Sequence, residues 1–217
     1  MSAPYPQADI DAVYRVIAER RDMRHFSGGE VAEHTLKKLL AAAHLAPSVG
    51  FMQPWRFIRI RDSALRDSIY DAVQSERIKT AQALNKHEDE FMRLKVEGIK
   101  DCAELIVVAL MNRREEHIFG RRTLPEMDLA SASCAIQNLW LAARAEGLGM
   151  GWVSLFDPTQ LMALLNMPEG SQPIAILCLG PVTKFYDKPM LETEQWARRQ
   201  NLDQLIMQDG WTEEPTS

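Results

Sequence analysis

At 217 residues, 46% of them apolar, the chain can bury one sizeable core and is too apolar to be disordered throughout. Its formal charge of -5 argues against a nucleic-acid binder, and no run approaches the roughly 20 apolar residues of a membrane span. Cys102, Cys134 and Cys178 lie far apart with no histidine at ligand spacing, so neither a metal site nor a disulfide framework is expected; with acidic Asp9 and Asp11 near the start in place of a signal peptide, the expectation is a cytoplasmic protein.

Residues 9 to 20 set Ile10, Val13, Tyr14 and Ile17 at the i, i+3, i+4, i+7 spacing of an amphipathic helix. After a turn at Gly28 and Gly29, a second helix is expected from about Thr35 to His44, with Leu36, Leu39, Leu40 and Ala43 inward and Pro47 as its stop. WRFIRIR, residues 55 to 61, alternates apolar and basic side chains as a half-buried strand does. From Ser63 to about Gly98 the pattern is helical, charged and broken in the middle. ELIVVALM, residues 104 to 111, is an apolar run of strand length that predicts burial on both faces. Residues 127 to 146 form the longest clean helical pattern, with Leu129, Ser133, Ile136, Trp140 and Ala143 on one face and Gly147 as a left-handed terminator. GWVSLF reads as a strand, Pro158 to Leu165 as a short helix and IAILCLG as another buried strand. Beyond Pro181 the chain turns polar, yet Trp196, Leu202, Leu205 and Ile206 give it too much apolar surface for a solvated end. This mix of antiparallel-compatible strands and enclosing helices predicts an α+β fold.

Three segments can carry chemistry. Arg20-Arg21-Asp22-Met23-Arg24-His25-Phe26 follows the first helix directly, and three guanidiniums within five residues suit a phosphate, because each offers planar, permanently charged donors. The competing account is a solvated basic turn with Asp22 as its counter-ion. The loop Ala46-Pro47-Ser48-Val49-Gly50-Phe51-Met52-Gln53-Pro54-Trp55 is stiffened by two prolines and offers Ser48 and Gln53 to the edge of a heteroaromatic ring; it could equally be an ordinary connection with Trp55 in the core. Gly147-Leu148-Gly149-Met150-Gly151-Trp152-Val153-Ser154 runs from helix into strand, the reverse of a dinucleotide fingerprint, so a Rossmann reading is rejected. What it allows instead is a flat ligand lying close to main chain.

In combination and in this order, the three segments resemble the FMN-binding nitroreductase-fold family over essentially the whole chain. The resemblance implies a single domain, residues 1 to 217, with a central, mostly antiparallel sheet enclosed by helices, a lid region at 76–100 and an extended C-terminal dimerisation arm at 182–217. It implies a homodimer with FMN at the subunit interface. Arg20, Arg21, Asp22, Met23 and Arg24 would hold the phosphate and ribityl chain. Ser48 and Gln53 would reach the isoalloxazine, with Gly151 and its neighbours on the ring's other side. A phosphate partner from the C-terminal region is expected among Lys184, Arg198 and Arg199.

Asp22 inside R-R-D-M-R, and the runs S-V-G-F-M-Q-P-W-R-F and G-W-V-S, look like the branch of the family that consumes its flavin. There reduced FMN and O₂ give 5,6-dimethylbenzimidazole, the lower ligand of cobalamin (vitamin B12), and erythrose 4-phosphate. The resemblance implies Asp22 as the group that moves a proton near the ribityl C1′ and Ser154 as a hydrogen-bonding partner of the flavin. Leu94, in a segment that also looks like this branch, would touch the ring from the lid. NAD(P)H would act only indirectly, through a separate flavin reductase that supplies reduced FMN. The alternative is an NAD(P)H-dependent nitroreductase or flavin reductase that keeps its FMN; a corrinoid reductase ranks behind it, and a non-catalytic flavin store is the reading from a different class.

Overall fold

The computed structural model describes residues 4–211, and the chain divides into two compact units, Met1–Phe185 and Tyr186–Ser217. In the first unit, helix α1 (Gln7–Glu19) leads through an extended segment to α2 (Glu33–His44), then strand β1 (Trp55–Ile60). Helices α3 (Ser63–Leu84) and α4 (Glu88–Arg93) follow, separated by a short 3-10 turn that accounts for the break in the helical pattern. Strand β2 (Glu104–Leu110), helix α5 (Met127–Ala145), strand β3 (Gly149–Val153), helix α6 (Pro158–Leu164) and strand β4 (Gln172–Gly180) complete it.

The four strands form one antiparallel sheet in the order β1-β2-β4-β3. The two central strands are the two continuous apolar runs, because both of their faces are covered. Ile106, Val108, Leu110, Ala175, Leu177 and Leu179 face a core shared with α2 and α5. Leu105, Val107, Ile176 and Cys178 face the opposite core, built with Ile69 and Val73 of α3 and Leu161 of α6. The two-residue period of a strand thus divides one apolar run between two helical layers.

Local chemistry fixes the element ends. Asp62 accepts from the Leu65 amide at 2.7 Å to start α3, and Asp157 accepts from the Gln160 amide at 2.9 Å to start α6, with Pro158 in its first turn. Gly147 takes a φ of 75° after α5, and the Leu148 amide returns to the Ala143 carbonyl at 2.8 Å.

Two expectations need correction, and a third is met with its apolar face left uncovered. The stripe on α1 is present but does not face this chain's core: Val13, Tyr14 and Ile17 are 59, 70 and 49% exposed. Early in α5 the buried positions are Ser131, Ala132 and Ala135, while Leu129 is exposed and Ser133 is half-buried. The strand expected at GWVSLF begins two residues earlier and ends before Ser154, because pairing with β4 starts at Gly149↔Gly180 and runs out at Val153↔Ile176.

The second unit carries helix α7 (Met190–Thr193) and a 3-10 turn at Leu202–Leu205. Leu202, Leu205 and Ile206 are exposed there and Trp196 is half-buried; residues 212–217 of the expected arm lie outside the described residues. Among the described residues, no helix is long and apolar enough to cross a membrane.

Candidate active site

The segment leaving α1 does not wander into solvent. It lies along β3 as an extra, parallel half-strand: Asp22 bridges to Met150, and the Met23 amide donates to the Met150 carbonyl at 2.9 Å. Glycine makes that approach possible. A methyl group on Gly151 would stand 2.2 Å from the Met23 carbonyl oxygen, and one on Gly98 would stand 2.4 Å from the Phe26 ring. The G-x-G-x-G run was expected to leave main chain open to a flat ligand. On the side where its missing Cβ would stand, Gly151 meets the Met23 main chain and a guanidinium nitrogen of Arg24.

Asp22 and Arg24 straddle Met23, whose own side chain is buried. One Asp22 oxygen accepts from the Trp152 amide at 3.0 Å, and the other pairs with Nη2 of Arg24. The same Arg24 nitrogen donates to the Trp152 carbonyl at 2.8 Å, which closes a ring of three residues across the edge of the sheet. Arg24 is only 8% exposed, whereas 42% of the Asp22 side chain still meets solvent. Burial of the carboxyl pushes its pKa above the ordinary value, opposed by the charge of Arg24, the Trp152 amide and the charge of Arg20. The carboxylate is ringed by protein and still open on one side.

The other two arginines are held differently. Arg20 lies over the Trp140 ring, 4.5 Å from its centroid, and the Trp140 indole donates to the Arg21 carbonyl at 3.1 Å. Arg21 turns one nitrogen back onto the Ala18 and Arg20 carbonyls, at 2.7 and 2.8 Å, where the end of α1 concentrates partial negative charge. Three guanidiniums and one carboxylate leave this exit with a charge of +2, three minus one, the complement of a phosphate dianion.

The 46–55 loop is anchored elsewhere. The Val49 amide donates to Ser131 Oγ at 3.0 Å, nine residues before Trp140 on α5, so the two anchors stand roughly 14 Å apart along that helix at about 1.5 Å per residue. Ser48 Oγ accepts from the Gln53 amide at 3.1 Å, which staples a loop in which Gly50, Phe51 and Gln53 all take positive φ. Such backbone strain outside glycine is uncommon and concentrates at working sites. Gln53 lines a cavity of about 310 Å³ with Leu40, His44, Trp55, Arg56 and Phe57.

Ser154 follows the last residue of β3 and is exposed. Leu94 is buried, and its carbonyl accepts from Arg77 at 2.8 Å, as the Met92 carbonyl does at 2.6 Å. One chain therefore brings together Arg20, Arg21, Asp22, Met23, Arg24 and Gly151; Ser48 and Gln53 are anchored at the other part of α5. The sequence pointed to neither Trp140 nor Trp152 as a site residue. Trp140 was readable only as a core position of its helix, and Trp152 works through its backbone, which leaves no trace in residue type.

Comparison with known proteins matches the nitroreductase family over residues 17–181. The chain belongs to the nitroreductase family. It is 41% identical over 193 residues to 5,6-dimethylbenzimidazole synthase of Rhodospirillum rubrum, covering 88% of this chain and 90% of that one. It is 36% identical over 194 residues to 5,6-dimethylbenzimidazole synthase of Rhodobacter capsulatus, covering 88% and 94%. Among solved structures, iodotyrosine deiodinase bound to FMN and 3-iodo-L-tyrosine superposes with a TM-score of 0.71 at 21% identity, over 92% of this chain and all of that one. A nitroreductase from Desulfovibrio desulfuricans in complex with FMN gives 0.66 at 21% identity, over 97% and 100%. These structural likenesses establish the fold.

Proposed function

We propose that this protein converts reduced FMN and O₂ into 5,6-dimethylbenzimidazole and erythrose 4-phosphate, the route to the lower ligand of cobalamin. The observation that carries the reading is the 41% identity to a 5,6-dimethylbenzimidazole synthase across nearly the full length of both chains. The +2 exit of α1, with a carboxylate fixed beside it, supports it.

In this reading reduced FMN supplies the electrons and the carbon skeleton, and the chain's residues supply grip, orientation and proton movement. Arg20 and Arg21, with Arg24 behind them, oppose the phosphate; the stacking of Arg20 on Trp140 removes part of the ordering cost of binding. Asp22 takes a proton near the ribityl C1′, which requires its ionised form. Ser154 hydrogen-bonds the flavin, and the backbone at Met23 and Gly151 lines its edge. Leu94 and the rest of residues 76–100 act as a lid that excludes water from the reacting ring. Ser48 and Gln53 approach the ring from the partner subunit of a homodimer, in keeping with the wide spacing of the two anchors on α5 and with the uncovered stripe on α1. A separate NAD(P)H flavin reductase delivers reduced FMN.

Aerobic incubation with chemically reduced FMN, followed by mass analysis, should yield dimethylbenzimidazole with matching loss of flavin. Steady oxidation of NADPH with a nitroaromatic, with the flavin retained, is the outcome that would instead establish a nitroreductase.

A further inference from the structure

We propose that Arg24 is a positioning residue, which holds the Asp22 carboxylate in one orientation while the direct grip on phosphate falls to Arg20 and Arg21. The sequence treats the three arginines alike; the geometry separates them. Arg20 and Arg21 are half-exposed, one lying on an indole face and the other on the end of α1. Arg24 is buried, and a single nitrogen, Nη2, serves both the Asp22 carboxylate and the Trp152 carbonyl. The Trp152 amide takes the second Asp22 oxygen, so both oxygens are held and the carboxylate cannot rotate about its last bond. Its remaining lone pairs then point in a fixed direction, which is what a group removing one particular proton requires. The close approach over Gly151 keeps this ring of contacts in place, since a side chain there would drive the segment off the sheet.

Arg24 and, more weakly, Arg20 are the charges that face Asp22. Burial raises the carboxyl pKa, and Arg24 is the largest influence that limits the rise. Without that guanidinium the carboxyl has less to offset its burial, and protonates at higher pH. The inference rests on the reading of Asp22 as the proton-moving group, but its test does not depend on turnover.

The experiment has two readouts on ligand-free or non-reacting protein, for Arg24→Gln, Arg24→Lys and Arg20→Gln. The first is the titration of Asp22 by carbon-13 NMR, assigned by its absence from Asp22→Asn. The second is affinity for oxidised FMN by fluorescence quenching. Arg24→Gln should move the Asp22 midpoint upward and weaken FMN binding by less than Arg20→Gln does. Arg20→Gln should weaken FMN binding by about tenfold or more, the usual effect of losing a charge-assisted contact. Arg24→Lys, which keeps the charge, should hold the midpoint near its native position and guards against a glutamine variant that does not fold. In the reacting protein the acidic limb of product formation should shift to higher pH in Arg24→Gln and return in Arg24→Lys. An unmoved Asp22 midpoint in Arg24→Gln, together with a loss of FMN affinity equal to that of Arg20→Gln, would overturn the proposal and return Arg24 to the phosphate. If the native enzyme makes no dimethylbenzimidazole, the proposed function falls while the titration still decides the role of Arg24.

Discussion

Replacing Gly151 with alanine should cost this protein both stability and the geometry of its site. The added methyl would lie 2.2 Å from the Met23 carbonyl oxygen and 3.3 Å from Nη1 of Arg24. The first neighbour is backbone, which cannot swing aside as a side-chain tip could. Overpacking of this kind costs about 1–3 kcal/mol. Displacing the exit segment also strains the bond from the Met23 amide to the Met150 carbonyl, worth about 0.5–1.5 kcal/mol. A total of about 1.5–4.5 kcal/mol corresponds to a drop of roughly 3–18 °C in Tm for a chain of this size. Gly147→Ala is the control. Its φ of 75° penalises a side chain by about 1–2 kcal/mol, but nothing lies within 4 Å of the new methyl, so the site should be untouched. Calorimetry and product formation on both variants separate the effects: Gly151→Ala should lose both, Gly147→Ala only some stability. Native Tm and native turnover in Gly151→Ala would refute the close approach of the exit segment to β3.

Three further outcomes are expected. Arg77→Ala removes the bonds to the Met92 and Leu94 carbonyls, so amide exchange over residues 88–95 should quicken roughly tenfold with little change in Tm; unaltered exchange there would mean Arg77 does not hold this segment. If the uncovered stripe of α1 is the face of the proposed homodimer, the native protein should sediment as a dimer in the analytical ultracentrifuge and Ile17→Asp, which places a charge there, as a monomer; a native monomer would refute the proposed shared site. Because burial raises the Asp22 carboxyl above its ordinary 3.8, the folded state binds that proton more tightly than the unfolded state. The stability it contributes is whole below 3.8 and declines as pH rises through the folded value, so urea melts should show a fall with rising pH that Asp22→Asn lacks; an identical profile in the variant would contradict the raised value.

The elements legible in the sequence are those whose burial is decided locally. β2 and β4 are apolar at nearly every position because both faces are covered, and α2 shows its inward face at Leu36, Leu39 and Ala43 as the helical period requires. β3 was misplaced by two residues because its start is set by the partner strand, while Gly149 and Gly151 carry none of the β-branched character that marks a strand. The stripe on α1 was legible as a pattern, but a pattern does not say which surface covers it. At the site, the three arginines and Asp22 were visible as a charge cluster. The division of labour among them was not, because it depends on Trp140 and Trp152, more than 100 residues further along. The glycine run shows the same limit: its spacing was plain, but only the fold reveals that the missing side chain of Gly151 admits the chain's own backbone.

In the proposed reaction the Asp22 carboxylate acts at the sugar side of an FMN held by the exit of α1. Asp22→Asn preserves the shape and the acceptor for the Trp152 amide while removing the base. Mass spectrometry of its aerobic reaction with reduced FMN should find the nucleotide bound with near-native affinity and no dimethylbenzimidazole. Product formed at the native rate would rule out Asp22 as the base.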